Sequence, residues 1–377
     1  MKITFITTLE AYWGGSEELW VRCAEYAISK GHEVQVVYYK QNELHPLLIN
    51  LKNKAASYLE LRKDLQGAGL FGKAVAAVKN RIYATGLKKV EEFNPDCILV
   101  SQVNNYSAPF HPLIFSFLRK FTRPFYLISQ FNFDHFCLPY SDIEKARELF
   151  SKASRIYFVS QRNKLVTERQ LARRIPNFRI IDNPLNLNDI SYVSYPGIKE
   201  KVNFASVARL EANFKGQDIL LEILSGESWK ERNWHLNIYG TGPDEAYLKE
   251  LSHFYNLQDK VTFHGQVREI RKIWEINHCL VMPSVAEGKP LALEEAMVCG
   301  RIGIVSDVAG NAELTDDGIN GFIASSFLPQ PFSRAMEKAW NNKENWEEMG
   351  KLAHDKMLRV LDFSPQSTII DEIEKSS

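Results

Sequence analysis

Cysteine is scarce and unpatterned in this chain. Five residues (Cys23, Cys97, Cys137, Cys279 and Cys299) are scattered with no Cys-x-x-Cys pair and no nearby histidine at zinc spacing, which argues against a disulfide framework or a structural metal. Buried thiols are the expected state. No apolar run approaches the roughly 18 residues needed to span a bilayer, and the opening residues turn polar too soon for a signal peptide, so a cytoplasmic protein is expected. Low-complexity tracts and solenoid-period repeats are absent as well. Net charge is missing too, with 46 Lys+Arg against 46 Asp+Glu, and no nucleic-acid partner is expected. What is present is ordinary for a soluble globular protein: 45% hydrophobic and 24% charged residues. At 377 residues the chain is too long for one typical core and suggests two domains.

The charge balance hides an asymmetry. Residues 1–190 hold 26 Lys+Arg against 18 Asp+Glu, and residues 191–377 hold 20 against 28. Much of the positive excess lies in residues 51–90, where nine basic residues face only Glu60 and Asp64. Leu51, Leu59, Leu61, Leu65, Leu70, Phe71 and Val75 interleave with them, which makes the segment a candidate for peripheral contact with an anionic membrane on its inner face. A solvated helical face is the competing reading.

Residues 3–7 read as a buried strand, followed by a loop ending in Gly14-Gly15-Ser16 and a helix to about Ser29, with Ser16 as N-cap and Glu17 and Glu18 in the first turn. Residues 34–39 resume as a strand. This βαβ unit implies a parallel sheet with ligands at the strand C-terminal ends. The alternation continues, with helical patterns at 73–92, 112–121, 142–152 and 161–173 and apolar runs at 97–100, 125–129, 156–160 and 179–181. Turn residues at 183–188 place a hinge there. The second half repeats the logic, with strands expected at 202–207, 234–239, 261–263, 279–282 and 302–305. Helical residues 331–360 and a last short helix near 366–375 complete it. The expected fold class is α/β, two Rossmann-like doubly wound domains (1–188 and 189–362) facing a cleft, where a small-molecule site belongs.

One stretch carries concentrated chemistry. Residues 281–297 set Glu287 and Glu295 around a helix start, with Gly288 permitting a tight backbone and Pro290 fitting the first helical turn. The N–H groups of Leu291, Ala292 and Leu293 then lack intrahelical partners, and such a start attracts an anion such as a nucleotide diphosphate. An ordinary helix with exposed acids is the alternative.

The order of motifs resembles the GT-B glycosyltransferases, specifically the retaining family 4, over nearly the whole chain and most strongly after residue 200. Glu287 and Glu295 are similar to that family's Glu-x7-Glu pair, and Arg209 with Lys215-Gly216 to its diphosphate element. Gly240-Thr241-Gly242-Pro243, Phe263-His264-Gly265, Asn183-Pro184-Leu185-Asn186, Ser306 to Gly310 with Glu313, and Gly318 to Gly321 follow in family order. The resemblance implies a retaining glycosyltransferase moving a sugar from a UDP- or GDP-sugar to an acceptor hydroxyl of a glycan, lipid-linked sugar or small molecule. It implies acceptor binding mainly by the N-terminal domain, and a last helix (363–377) that returns to that domain.

It also implies residue roles. Arg209 offers a planar fork and Lys215 a point charge to the diphosphate, so neither a metal nor another cofactor is demanded, and the chain contains no Asp-x-Asp pair. Glu287 would bind hydroxyls of the donor sugar and Glu295 the nucleotide ribose, with Glu294 standing where the family has an apolar residue. Gly14 and Gly15 match the Gly-rich first loop, or form a plain β-to-α turn. Two further departures stand out: Gln130 occupies the place of a family histidine near the reacting sugar, and Lys289 replaces an apolar or aromatic residue. Asp134 and His135 lie just beyond Gln130 and are candidates to enter the site. His264 is expected to shape the nucleotide pocket or its turn. A nucleotide-sugar epimerase, a sugar phosphorylase or a noncatalytic nucleotide-sugar-binding protein of the same fold remain alternatives. An NAD-dependent oxidoreductase fits poorly, because Gly240-x-Gly242 lacks a third glycine and runs into Asp244 and Glu245.

Overall fold

Two sets of β-rich runs separate into two parallel sheets. The computed structural model describes residues 1–10, 13–14, 17–41, 43–61 and 87–376. Met1–Pro184 with Asp362–Ser377 make one compact unit, and Leu185–Leu361 make the other. Gly15, the Ser16 N-cap and residues 62–86 of the basic segment lie outside the described residues. Of the helix expected at 73–92, residues 87–93 are described and helical.

In the first unit the strands are β1 (Lys2–Thr7), β2 (Glu33–Tyr39), β3 (Ser57–Leu61), β4 (Cys97–Gln102), β5 (Phe125–Ser129), β6 (Arg155–Phe158) and β7 (Phe178–Ile180). They pair in parallel in the order β3-β2-β1-β4-β5-β6-β7. β4 and β5 are buried along their whole length, as strands covered on both faces must be, which is why they read as continuous apolar runs. Two strands escaped the sequence reading. β3 lies inside the segment read as a membrane candidate, and there Leu51, Leu59 and Leu61 are buried in the protein, so these three leucines belong to the core and offer nothing to a lipid surface. The other missed strand is β13, in the second unit.

The helix Pro365–Ser376 packs on helix Glu17–Ser29 within the first unit. Its Ile369, Ile370 and Ile373 are fully buried, in one cluster with Trp20, Cys23, Tyr126 and Tyr157. Lys30 to Asp371 and Glu374, and Arg155 and Arg179 to Glu372, pair along its polar side.

The second unit has β8 (Val202–Val207), β9 (Trp234–Tyr239), β10 (Val261–Gly265), β11 (Cys279–Met282), β12 (Ile302–Ser306) and β13 (Gly321–Ala324). Their order is β10-β9-β8-β11-β12-β13, again with parallel pairing. The chain builds outward from β8 through β9 to β10, then returns to the other side of β8 with β11. That reversal makes a switch point at the C-terminal ends of β8 and β11, where an open α/β sheet takes its ligands.

Candidate functional site

β8 runs into Ala208, Arg209 and a single helical turn, Ala212–Lys215, and β11 runs into the loop that carries Glu287. Both therefore emerge at the switch point of the second sheet. Lys215 ends its turn because Gly216 follows in a left-handed conformation, φ 65°. A Cβ at Gly216 would lie 2.2 Å from the Pro283 carbonyl oxygen, so only glycine lets the two loops touch. This close approach delivers the Lys215 ammonium to Glu287, Nζ to Oε1 2.6 Å, with the carboxylate side chain 9% exposed. The Ser284 hydroxyl donates to the same oxygen at 2.8 Å. Behind it, Ser306 Oγ donates to the Ser284 carbonyl, and Asn311 Nδ2 to the Ser306 carbonyl.

The turn Gly240-Thr241-Gly242-Pro243 supports the Arg209 loop from the other side. Gly240 has φ +124°, and a Cβ there would stand 2.0 Å from the Ala208 carbonyl oxygen. Leu210 N–H donates to the Thr241 carbonyl at 3.1 Å, and Asp244 Oδ2 accepts from the Ala212 N–H at 2.8 Å. Asp244, which argued against a dinucleotide fingerprint in the sequence, thus secures the first amide of the turn that ends in Lys215. The Arg209 side chain is about one-third exposed, its Nε 3.2 Å from Glu211 Oε2, while its carbonyl accepts from Gln217 Nε2.

The loop after β11 is pinned by Val285 N–H on the Phe214 carbonyl and by Gly310 N–H on the Gly288 carbonyl. The following helix is Leu291–Val298, and Pro290 is its N-cap rather than a member of its first turn. Leu293 N–H donates to the Pro290 carbonyl at 3.1 Å, so of the three amides expected at the helix edge Leu291 and Ala292 remain there. Glu295 is buried, and its Oε1 accepts from both the N–H and Nδ2 of Asn186, at 3.0 and 3.1 Å. Glu294 is fully buried beside Lys289.

His264 stacks on Tyr239 with ring centroids 4.5 Å apart and meets Asn237 Oδ1 at 2.8 Å. Asn237 in turn bonds Asn277, which donates to the Tyr239 hydroxyl. Desolvation lowers the His264 pKa, which favours the neutral ring.

The first-unit candidates are placed differently. Gln130 is buried in a reciprocal amide pair with Asn183, both bonds 3.0 Å, and His135 is exposed. Asp134 is engaged by the guanidinium of Arg162, on the helix Gln161–Leu171, at 2.6 and 2.9 Å. Gly14 accepts at its carbonyl from the Glu17 N–H. The sequence reading missed Glu17, which looks like any acid in a first helical turn. It is 1% exposed, accepts from Thr7 Oγ1 and Trp20 Nε1, and burial pushes its pKa up to about 7. Asn186 and Ser284 were also missed as partners of the two glutamates. Both lie inside motifs already singled out, but nothing in a sequence says which side chain meets which.

Comparison with known proteins relates both the second unit and the fold to other chains. Residues 195–356 match the protein-family model described as Glycosyl transferases group 1. An uncharacterized glycosyltransferase of Haemophilus influenzae is 28% identical over 138 residues, 36% of this chain and 39% of that protein. Alpha-D-kanosaminyltransferase of Streptomyces kanamyceticus is 26% identical over 159 residues, 42% of this chain and 41% of that protein. The chain thus spans about two fifths of the length of these relatives. Among solved structures, the Anabaena protein Alr3699/HepE in complex with UDP and glucose aligns over 100% of both chains with TM-score 0.74 at 18% identity. That likeness shows the fold, which is the fold of the GT-B glycosyltransferases.

Proposed function

We propose that this protein is a retaining, metal-independent glycosyltransferase that moves a sugar from a nucleoside-diphosphate sugar to the hydroxyl of a glycan, lipid-linked or small-molecule acceptor. The observation that carries the reading is the cluster at the second sheet's switch point: Arg209, the Lys215–Glu287 pair and the Leu291 and Ala292 amides, inside the segment matched by the family model. In the reaction the bond from the anomeric carbon to the phosphate oxygen breaks, a bond to the acceptor oxygen forms, and the acceptor proton passes to the leaving phosphate. Negative charge grows on that phosphate. Two cations and helix amides are the groups that stabilise it without reorganising. Glu287 then exchanges its hold on Lys215 for sugar hydroxyls, and Glu295 serves the ribose end while it keeps Asn186 in place.

The test is turnover and thermal shift with a panel of UDP-, GDP- and ADP-sugars, with and without EDTA. Binding and nucleotide release unaffected by EDTA are expected, and Arg209→Ala or Lys215→Ala should lower turnover at least ~10²-fold, the scale of losing one transition-state donor. Absence of binding to every donor, a requirement for a divalent metal, or near-normal rates in both variants overturns the assignment.

A further inference from the structure

Two opposite charges are kept out of water where the Glu287 loop meets the helix Leu291–Val298. Lys289 Nζ lies 3.2 Å from Glu294 Oε1, and the side chains are 8% and 0% exposed. Burying such a pair forfeits the hydration of both groups and seldom adds net stability over an apolar pair of similar volume. A stability role alone therefore leaves its presence unexplained.

Its location suggests a use. The stretch before Glu287 is fixed by the Phe214 carbonyl, and the Glu287 carboxylate by Lys215 and Ser284. The stretch after it, Gly288 to Pro290, has the Gly310 N–H on the Gly288 carbonyl at 3.2 Å and then the Lys289–Glu294 pair. Glu294 sits on the rigid helix, in its first turn, and its own N–H donates to the Pro290 carbonyl. The pair therefore ties the far end of the loop to the helix whose first amides await the diphosphate. It also holds the Lys289 ammonium against Glu294.

We propose that Lys289 and Glu294 are positioning residues that set Glu287 for the donor sugar, while the nucleoside end, served by Glu295, is independent of them. This rests on reading the loop as the donor site. Both residues act through Glu287 and neither need touch the substrate.

The experiment compares wild type, Glu294→Gln, Lys289→Met and Lys289→Met/Glu294→Leu, using UDP-glucose and UDP as probes, or GDP-mannose and GDP where the donor panel selects guanosine. Steady-state kinetics give KM for the sugar donor, titration gives Kd for the bare nucleoside diphosphate, and melting gives Tm. Glu294→Gln is expected to raise the donor KM by about tenfold or more while the Kd for UDP stays within about twofold. The double variant, which removes both buried charges together, is expected to recover Tm while its donor KM stays raised, because the tie between loop and helix is gone; a donor KM restored together with Tm overturns the positioning role. Donor KM and UDP Kd moving together, or neither moving, overturns the inference. Should Glu294→Gln not fold, Lys289→Arg keeps the charge but changes the reach, and the same split between KM and Kd decides. A wild type that binds no nucleotide sugar overturns the donor-site reading itself, whereas an active wild type with unaffected variants overturns only the positioning role.

Discussion

At the scale of single residues, the acids of this chain have different roles although the sequence presents them alike. Glu287 and Glu295 hold bonding partners beyond the C-terminal ends of the second sheet's strands, Glu294 pairs with a buried lysine, and Glu17 is sealed at the start of the first helix. Glu17 has a measurable signature. Desolvation dominates the two hydrogen bonds it accepts, which raises its pKa from 4.5 to about 7, so the folded state binds a proton that the unfolded state has already released in that interval. Stability contributed by this group is therefore full below pH 4.5, falls as pH rises to about 7, and is level above. Ionisation of Glu17 should cost on the order of 3 kcal/mol by pH 8. Urea midpoints at about pH 5 and about pH 8 should show that loss in the wild type, and Glu17→Gln should remove most of it. An unchanged difference in the variant would assign the pH dependence to other groups.

Among elements, the one-turn helix Ala212–Lys215 is too short to be stable alone, so its place is set by what touches it. Asp244 holds its first amide, and Gly216 ends it against Pro283. Gly216→Ala should cost more than the roughly 1–2 kcal/mol of a left-handed alanine, because a backbone oxygen stands 2.2 Å from the new Cβ. Gly265 is the control. It has φ +67° with nothing within 4 Å, so Gly265→Ala carries the strain without the clash. Melting of the two variants should show the larger loss at Gly216, accompanied by weaker UDP binding as Lys215 is displaced. Equal losses would mean that the close approach to Pro283 is not what fixes the turn.

For the whole molecule, the second unit is inserted between two parts of the first. The chain leaves the first unit after Pro184 and re-enters it at Asp362, where the Asp362 N–H donates to Asp182 Oδ2 at 2.7 Å and Thr368 Oγ1 to Asp362 Oδ2 at 2.6 Å. The last helix then completes the core of the first unit with three fully buried isoleucines. At about 1.5–3 kcal/mol for each such side chain, deleting residues 365–377 should cost the first unit on the order of 5 kcal/mol. Calorimetry should find a transition shifted down in the truncated chain and a second one, from the Leu185–Leu361 unit, little changed. Two unshifted transitions would show that the helix is dispensable.

The sequence by itself determined the α/β alternation and most strand positions, because strands covered on both faces need continuous apolar runs and the turns between them need glycine, asparagine and proline. β8, β9 and β11 were legible to the residue for that reason. The short Ser57–Leu61 and Gly321–Ala324 strands were not, since a few residues beside charges or glycines carry too little pattern. The residue types proposed for a diphosphate sugar, Arg209, Lys215, Glu287 and Glu295, came from a resemblance in the order of motifs along the chain. Only the tertiary structure decided which polar group meets which: Lys215 with Glu287, Asn186 with Glu295, Lys289 with Glu294, Gln130 with Asn183. Those pairings join residues that are up to 109 positions apart, and hydrogen bonds depend on distances of tenths of an ångström that spacing along a chain does not encode.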